Sequence, residues 1–244
     1  MSRASLEPCG IAVLARAPVA GEAKTRLAPL LGEEGAALLH AALLRRTLRA
    51  ATRARGAESK IGDVTLWCAP DTAHPFFAAC RAEFGVRLRQ QAEGDLGRRM
   101  LAAFEAERRP LLLIGADCPI LTVELLRRCA ALLLAGSEAV FLPAEDGGYG
   151  LVGLRRPVPE LFDGVAWGGD KVMEDTRAHL REMALSWSEP AIIWDVDRPE
   201  DVRRLIESGA LPEWQVPSTR QGIGIRARTF SRLREKVSPR SGDG

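Results

Sequence analysis

The sequence predicts an α/β domain built on a mostly parallel sheet with helices on both faces. Short aliphatic runs without polar alternation recur along the chain, as suits strands buried on both sides. Segments with apolar residues at helical spacing separate them, which is the pattern of a sheet covered by its own crossovers. Charged or glycine-containing loops follow several of the runs, and open α/β sheets bind ligands at that edge.

The first strand is expected at 10–15 (GIAVLA), running into a loop with Pro18, Gly21, Lys24 and Arg26. A glycine-containing basic loop after a first strand is a candidate phosphate cradle. It has neither the Walker A spacing nor a G-x-G-x-x-G fingerprint. On the residues alone, Lys24 and Arg26 read equally as a phosphate clamp or a solvated pair. A long helix is predicted over 33–55, where Leu38, Leu39, Ala42 and Leu43 share a face. Further strands are expected at 63–69 and 85–90, with a helix between them carrying Phe76, Phe77 and Cys80. Gly94 and Gly97 stand at the mouth of the next helix.

The run Leu111-Leu112-Leu113-Ile114 reads as the central strand, and Gly115-Ala116-Asp117-Cys118-Pro119 ends it. Pro119 forces a turn, which leaves Asp117 at the strand's carboxyl end. A carboxylate there is available to hold a divalent cation on a substrate phosphate. It could instead cap the helix expected over 122–134, but Thr122 is the better cap, so the metal reading is preferred. The strand at 138–143 leads into Glu145-Asp146-Gly147-Gly148-Tyr149, strong hairpin chemistry, with a returning strand at 150–154. Trp167-Gly-Gly-Asp170 precedes another helix. A last strand is expected at 191–196, followed by Asp197 and a helix beginning at Pro199; Asp197 could cap that helix or face the sheet edge.

At 244 residues with a formal net charge of +2, the chain gives no reason to expect a nucleic-acid partner. Residues 1–209 are expected to form one nucleotide-binding domain and 210–244 a basic, loosely packed tail. Beyond Gln215 seven Arg or Lys face two acidic residues. Five cysteines without C-x-x-C spacing predict reduced thiols and a cytoplasmic protein. No stretch reads as a signal peptide or a membrane span.

Five segments together resemble a family: ARAPVAGEAKTRL (15–27), GDLGRRM (94–100), GADCP (115–119), EDGGY (145–149) and DVDRPED (195–201). They are similar to DUF2064, bacterial proteins usually described as glycosyltransferase-A-like nucleotide-diphospho-sugar transferases. More distantly, the chain is similar to the guanylyltransferases for 2-phospho-lactate and for molybdenum cofactor. The resemblance implies a Rossmann-like GT-A fold with a mixed, mostly parallel sheet. It also implies a Mg2+ site, with Mn2+ as the alternative ion.

In that reading Lys24, Arg26 and Asp117 are catalytic, and Asp117 and Asp197 are the metal ligands. Leu14, Ala15, Arg16, Gly21, Gly94, Asp95, Gly97 and Arg98 are implied to hold the nucleotide. Asp146, Gly147, Gly148, Tyr149, Trp167 and Asp170 are implied to hold the acceptor or transferred group. The expected partners are a nucleotide or nucleotide-sugar donor and a small acceptor, with no nucleic acid and no membrane.

The first loop lacks G-x-S-x-R-M-G, and Asp117 is not part of an Asp-x-Asp pair. Two transfers therefore stay open: of a sugar, releasing a nucleoside diphosphate, or of a nucleotidyl group, releasing pyrophosphate. A catalytically silent nucleotide-binding module is the third possibility.

Overall fold

The structure, a computed structural model, describes residues 7–107, 109–212 and 214. Seven strands form one mixed sheet: β1 (Cys9–Arg16), β2 (Ile61–Ala69), β3 (Arg87–Gln90), β4 (Leu111–Ile114), β5 (Ala139–Pro143), β6 (Tyr149–Leu154) and β7 (Trp187–Ser188). Their spatial order is β3-β2-β1-β4-β6-β5-β7. β1, β2, β3 and β4 run parallel, β6 is antiparallel to both β4 and β5, and β7 is parallel to β5. The helices are α1 (Ala28–Ala54), α2 (Pro75–Phe84), α3 (Leu96–Glu107), α4 (Val123–Ala135), α5 (Val172–Glu182) and α6 (Pro199–Ser208).

The two-residue alternation of a strand explains how the aliphatic runs are used. On β4, Leu112 and Ile114 join the core beneath α1 and α4, where Leu44, Leu48, Leu126 and Leu133 also lie. Leu111 and Leu113 join the opposite core with Phe104, Phe141, Met173 and Leu180. Every one of these side chains is essentially removed from water, and each such burial contributes roughly 1.5–3 kcal/mol. A third cluster sits on the outer flank of α1, where Leu27, Leu31, Leu39 and Leu43 meet Trp194, Val196, Val202 and Leu205.

Three expectations need correction. The helix expected from residue 33 gains an extra N-terminal turn, separated from the rest by Gly32 at φ 72° and ψ 163°. A 30-residue stretch from Thr25 to Ala54 is long and apolar enough by composition to cross a membrane; half of its apolar window is buried inside the fold.

The strand expected at 191–196 does not form. β7 ends at Ser188, Pro190 has no N–H to donate to a ladder, and only an isolated bridge joins Ile193 to Ala144. The segment leaves the sheet edge and crosses over the strand ends, where Val196 N donates to the Asp117 carbonyl at 3.0 Å.

The domain boundary at 209 also falls too early. Leu211 is buried, and Ala210 and Trp214 pack on the third cluster. The basic tail beyond Gln215 lies outside the described residues.

Candidate active site

β1 has β2 on one side and β4 on the other, so chain connections leave it in opposite directions and a crevice opens at its carboxyl end. The crevice holds about 630 Å³. One bank comes from the end of β1 and the loop after it. Ala17 N donates to Ala69 O, and the Val19 carbonyl accepts from Glu22 and Ala23, closing a tight turn in which Gly21 takes φ 81°. Lys24 then adopts a left-handed conformation, φ 52° and ψ 44°, which costs a non-glycine residue about 1 kcal/mol. The result is a lysine turned inward, its side chain only 6% exposed.

Lys24 Nζ lies 2.9 Å from Asp117 Oδ1 and 3.9 Å from Asp197 Oδ1. Arg26 grips the other oxygen of Asp197. His40, projecting from α1, donates Nε2–H to the Arg16 carbonyl at 3.0 Å and sets Nδ1 3.7 Å from Asp117 Oδ1. Burial works to raise the Asp117 pKa, yet Lys24 and His40 outweigh it and hold the carboxyl well below the usual range. Asp117 Oδ1 is buried while the side chain as a whole is 42% exposed. The exposure therefore falls on the rest of the side chain, which lines the crevice.

Neither aspartate is a helix cap. Thr122 Oγ1 accepts from Leu125 N at the start of α4, and Asp201 accepts from the backbone of Asp197 and Arg198 at the start of α6. Both carboxylates are left for the crevice.

The opposite bank is acidic and aromatic. Asp146 Oδ1 accepts from Gly148 N within the β5–β6 hairpin. Tyr149 stands edge-on to both Phe141 and Trp167, and burial pushes its phenol upward. Gly147 carries φ 92°, and a Cβ there would lie 1.9 Å from the Asp170 carbonyl oxygen. The hairpin thus docks directly on the loop before α5, with Met173 N donating to Gly147 O at 2.8 Å. Asp195 completes this bank; burial and then Asp146 push its pKa up to about 6.

Of the sequence-predicted residues, Leu14, Ala15, Arg16, Lys24, Arg26, Asp117, Asp146, Gly148, Tyr149, Trp167 and Asp197 line the crevice. Gly21, Gly94, Asp95, Gly97, Arg98, Gly147 and Asp170 do not line it, and most of them shape its walls. Asp95 accepts from Arg98 N and starts α3. A Cβ on Gly97 would meet the Trp167 indole at 2.7 Å, so that glycine makes room for the ring.

Gln91, Leu96, Arg99, His40 and Asp195 line the crevice without having been singled out in the sequence. Gln91 Nε2 donates to both Ala15 O and Trp67 O, which spends its hydrogens and leaves its carbonyl oxygen as the acceptor.

The donor set suits a small, hard divalent cation. Two carboxylates gather around one point, and no group of three metal-binding side chains exists among the described residues. Mg2+ commonly takes one or two protein carboxylates and completes its shell with water and phosphate.

Fold and site together define a member of the nucleotide-diphospho-sugar transferase superfamily, built on a Rossmann-like GT-A sheet. Within it, the chain belongs to the family described as "Uncharacterized protein conserved in bacteria (DUF2064)", whose profile matches residues 47–169. A solved structure from Desulfovibrio desulfuricans G20, a candidate nucleotide-diphospho-sugar transferase, is 28% identical with a TM-score of 0.73, over 84% of this chain and 88% of that one. The 4-diphosphocytidyl-2C-methyl-D-erythritol synthase of Anaerococcus prevotii DSM 20548 shares the fold at 12% identity and TM-score 0.54, over 87% and 100% of the two chains. Glucosyl-3-phosphoglycerate synthase of Mycobacterium tuberculosis, solved with Mn2+, UDP and glucosyl-3-phosphoglycerate, shares it at 10% identity and TM-score 0.51, over 84% and 77%. No curated protein matches the sequence.

Proposed function

We propose that this protein transfers a sugar from a nucleotide-activated donor to a small acceptor, with Mg2+ or Mn2+ as cofactor. One observation carries the reading: Lys24, Asp117 and Asp197 converge at the carboxyl ends of β1 and β4, beneath an acidic and aromatic bank.

Asp117 and Asp197 would hold the cation, which when bound supplies Lewis-acid neutralisation of the donor's diphosphate. Lys24 and Arg26 would pair with phosphate oxygens, and charge-assisted contacts of that kind are worth roughly 1.5–3 kcal/mol each. Leu14, Ala15 and Arg16 would take the nucleoside, with Gln91, Leu96 and Arg99 facing them. Gly21, Gly94, Asp95, Gly97 and Arg98 would set the walls of that subsite. Asp146, Gly148, Tyr149 and Trp167 would seat the sugar and the acceptor, carboxylates accepting from hydroxyls and rings covering apolar faces. Gly147 and Asp170 would fix that bank's shape.

In the transfer an acceptor hydroxyl oxygen bonds to the anomeric carbon and gives up its proton to solvent. The bond from that carbon to the diphosphate breaks, and the nucleoside diphosphate leaves with the electron pair. Five free, buried cysteines suit a reducing cytoplasm.

Nucleotidyl transfer is the second reading, favoured by the cationic first loop, which suits the added charge of a triphosphate. Nucleoside triphosphates and nucleotide sugars, each supplied with Mg2+ or Mn2+ and a pool of small acceptors, separate the two. Nucleoside diphosphate release supports sugar transfer, and pyrophosphate release replaces it with nucleotidyl transfer. Nucleotide binding that needs no metal and yields neither product overturns both in favour of a silent module.

A further inference from the structure

Lys24 occupies the position in which a cation bridging Asp117 and Asp197 would be expected. Its ammonium is almost wholly sheltered and contacts Asp117 Oδ1 at 2.9 Å, with Asp197 Oδ1 at 3.9 Å. Arg26 holds Asp197 Oδ2. Asp117 and Asp197 are thus each already paired with a cation, the sheltered Lys24 and the more exposed Arg26. A divalent ion entering alone would have to displace the Lys24 ammonium or share Asp117 with it, and at such distances in a partly buried site the repulsion between the two cations is weakly screened. A diphosphate changes the balance, because it brings compensating charge and offers the ammonium new oxygens.

We infer that Lys24 is a built-in counter-cation that bars metal from the nucleotide-free crevice and surrenders Asp117 only when phosphate arrives. The inference rests on the metal-site reading above. Cation and nucleotide then load together, and neither carboxylate captures stray metal between turnovers. The left-handed turn at Lys24 gives the exchange its geometry: the side chain is aimed inward by its own backbone rather than by a long flexible reach.

Binding of Mn2+ to the full-length protein, followed by the loss of the free-ion electron paramagnetic resonance signal, tests this without any turnover. Wild type, Lys24→Met and Lys24→Met/Asp117→Asn are titrated with Mn2+ alone, then again with ADP, GDP, CDP or UDP present. Circular dichroism confirms that each is folded, and Lys24→Gln takes the place of Lys24→Met if the latter fails to fold.

The expected result is weak Mn2+ binding by wild type alone and at least tenfold tighter binding by Lys24→Met. Asp117→Asn should abolish that gain. A nucleoside diphosphate should strengthen Mn2+ binding in wild type more than in Lys24→Met. Tight Mn2+ binding by wild type alone, or a Lys24→Met protein no tighter than wild type, overturns the counter-cation while leaving the metal site standing. If no folded variant binds Mn2+ with or without any of the four nucleotides, the metal site itself is wrong and the counter-cation falls with it.

Discussion

On the β1 bank of the crevice an aspartate meets cations, and on the hairpin bank an aspartate meets another aspartate. Asp117 lies 2.9 Å from Lys24, and its carboxyl is held well below the usual range despite burial. Asp195 is also partly buried, and burial first and then Asp146 carry its pKa up to about 6. The same residue type is shifted in opposite directions: burial prevails at Asp195 with Asp146 adding to it, whereas at Asp117 Lys24 and His40 outweigh burial. The first bank keeps a carboxylate ionised, as the proposed metal and phosphate subsite requires. The second is a place where a carboxylate can trade its proton or meet hydroxyls.

The sharpest break of that contrast is Asp117→Asn. It removes the group that Lys24 faces, and activity should fall a hundredfold or more, about 3 kcal/mol of transition-state stabilisation. Nucleoside diphosphate release under saturating donor checks it. An isosteric amide keeps the shape of the aspartate, yet it strands a lysine that is only 6% exposed. The melting temperature should drop too, and Lys24→Met in the same chain should recover part of the loss.

Gly147→Ala attacks the other bank. Its Cβ would lie 1.9 Å from a backbone oxygen at a positive φ, so the hairpin must lift from the loop before α5. A cost of the order of 3 kcal/mol is expected, read by urea denaturation. Gly97→Ala is gentler, because the Trp167 ring can shift where a backbone cannot. We expect about 1 kcal/mol, together with a change in tryptophan fluorescence.

Asp195→Asn has the smallest effect and tests the electrostatics directly. A carboxyl whose folded pKa is raised costs stability once the pH passes its ordinary value, and fully so above the raised one. Removing it should stabilise the protein at about pH 7.5 by roughly 1 kcal/mol, after allowance for solvent screening. That gain should shrink through the acid range and approach zero only as the pH falls below the ordinary value of 3.8. A gain that does not change with pH would place its origin in packing rather than charge.

These contrasts explain what the sequence could disclose. The strands were legible because Leu111–Ile114 and its neighbours are uniformly apolar, and a strand buried on both faces has no other composition available. Asp117 was legible because it follows such a run and precedes a proline. The segment at 191–196 misled because its composition is strand-like, whereas Pro190 and the short β7 decide its path locally. His40 was hidden inside an amphipathic helix, where a lone histidine reads as core. Asp195 was hidden because its character depends on Asp146, about fifty residues earlier and brought close only by the fold. The glycines at 97 and 147 have a packing reason that only the fold discloses: a Cβ at either would run into Trp167 or the Asp170 carbonyl.

The backbone bond from Val196 N to the Asp117 carbonyl has a consequence for synthesis. Every strand flanking the crevice floor is complete by residue 154, and Asp117 is in place with them. Yet Asp195 and Asp197 arrive only with the segment that crosses over after β7. A nascent chain that has emerged as far as α5 therefore has a sheet, a first loop and half of its carboxylates, but no second half to close on a nucleotide. Competence comes late and in one step, when the last crossing is laid over the strand that began the site.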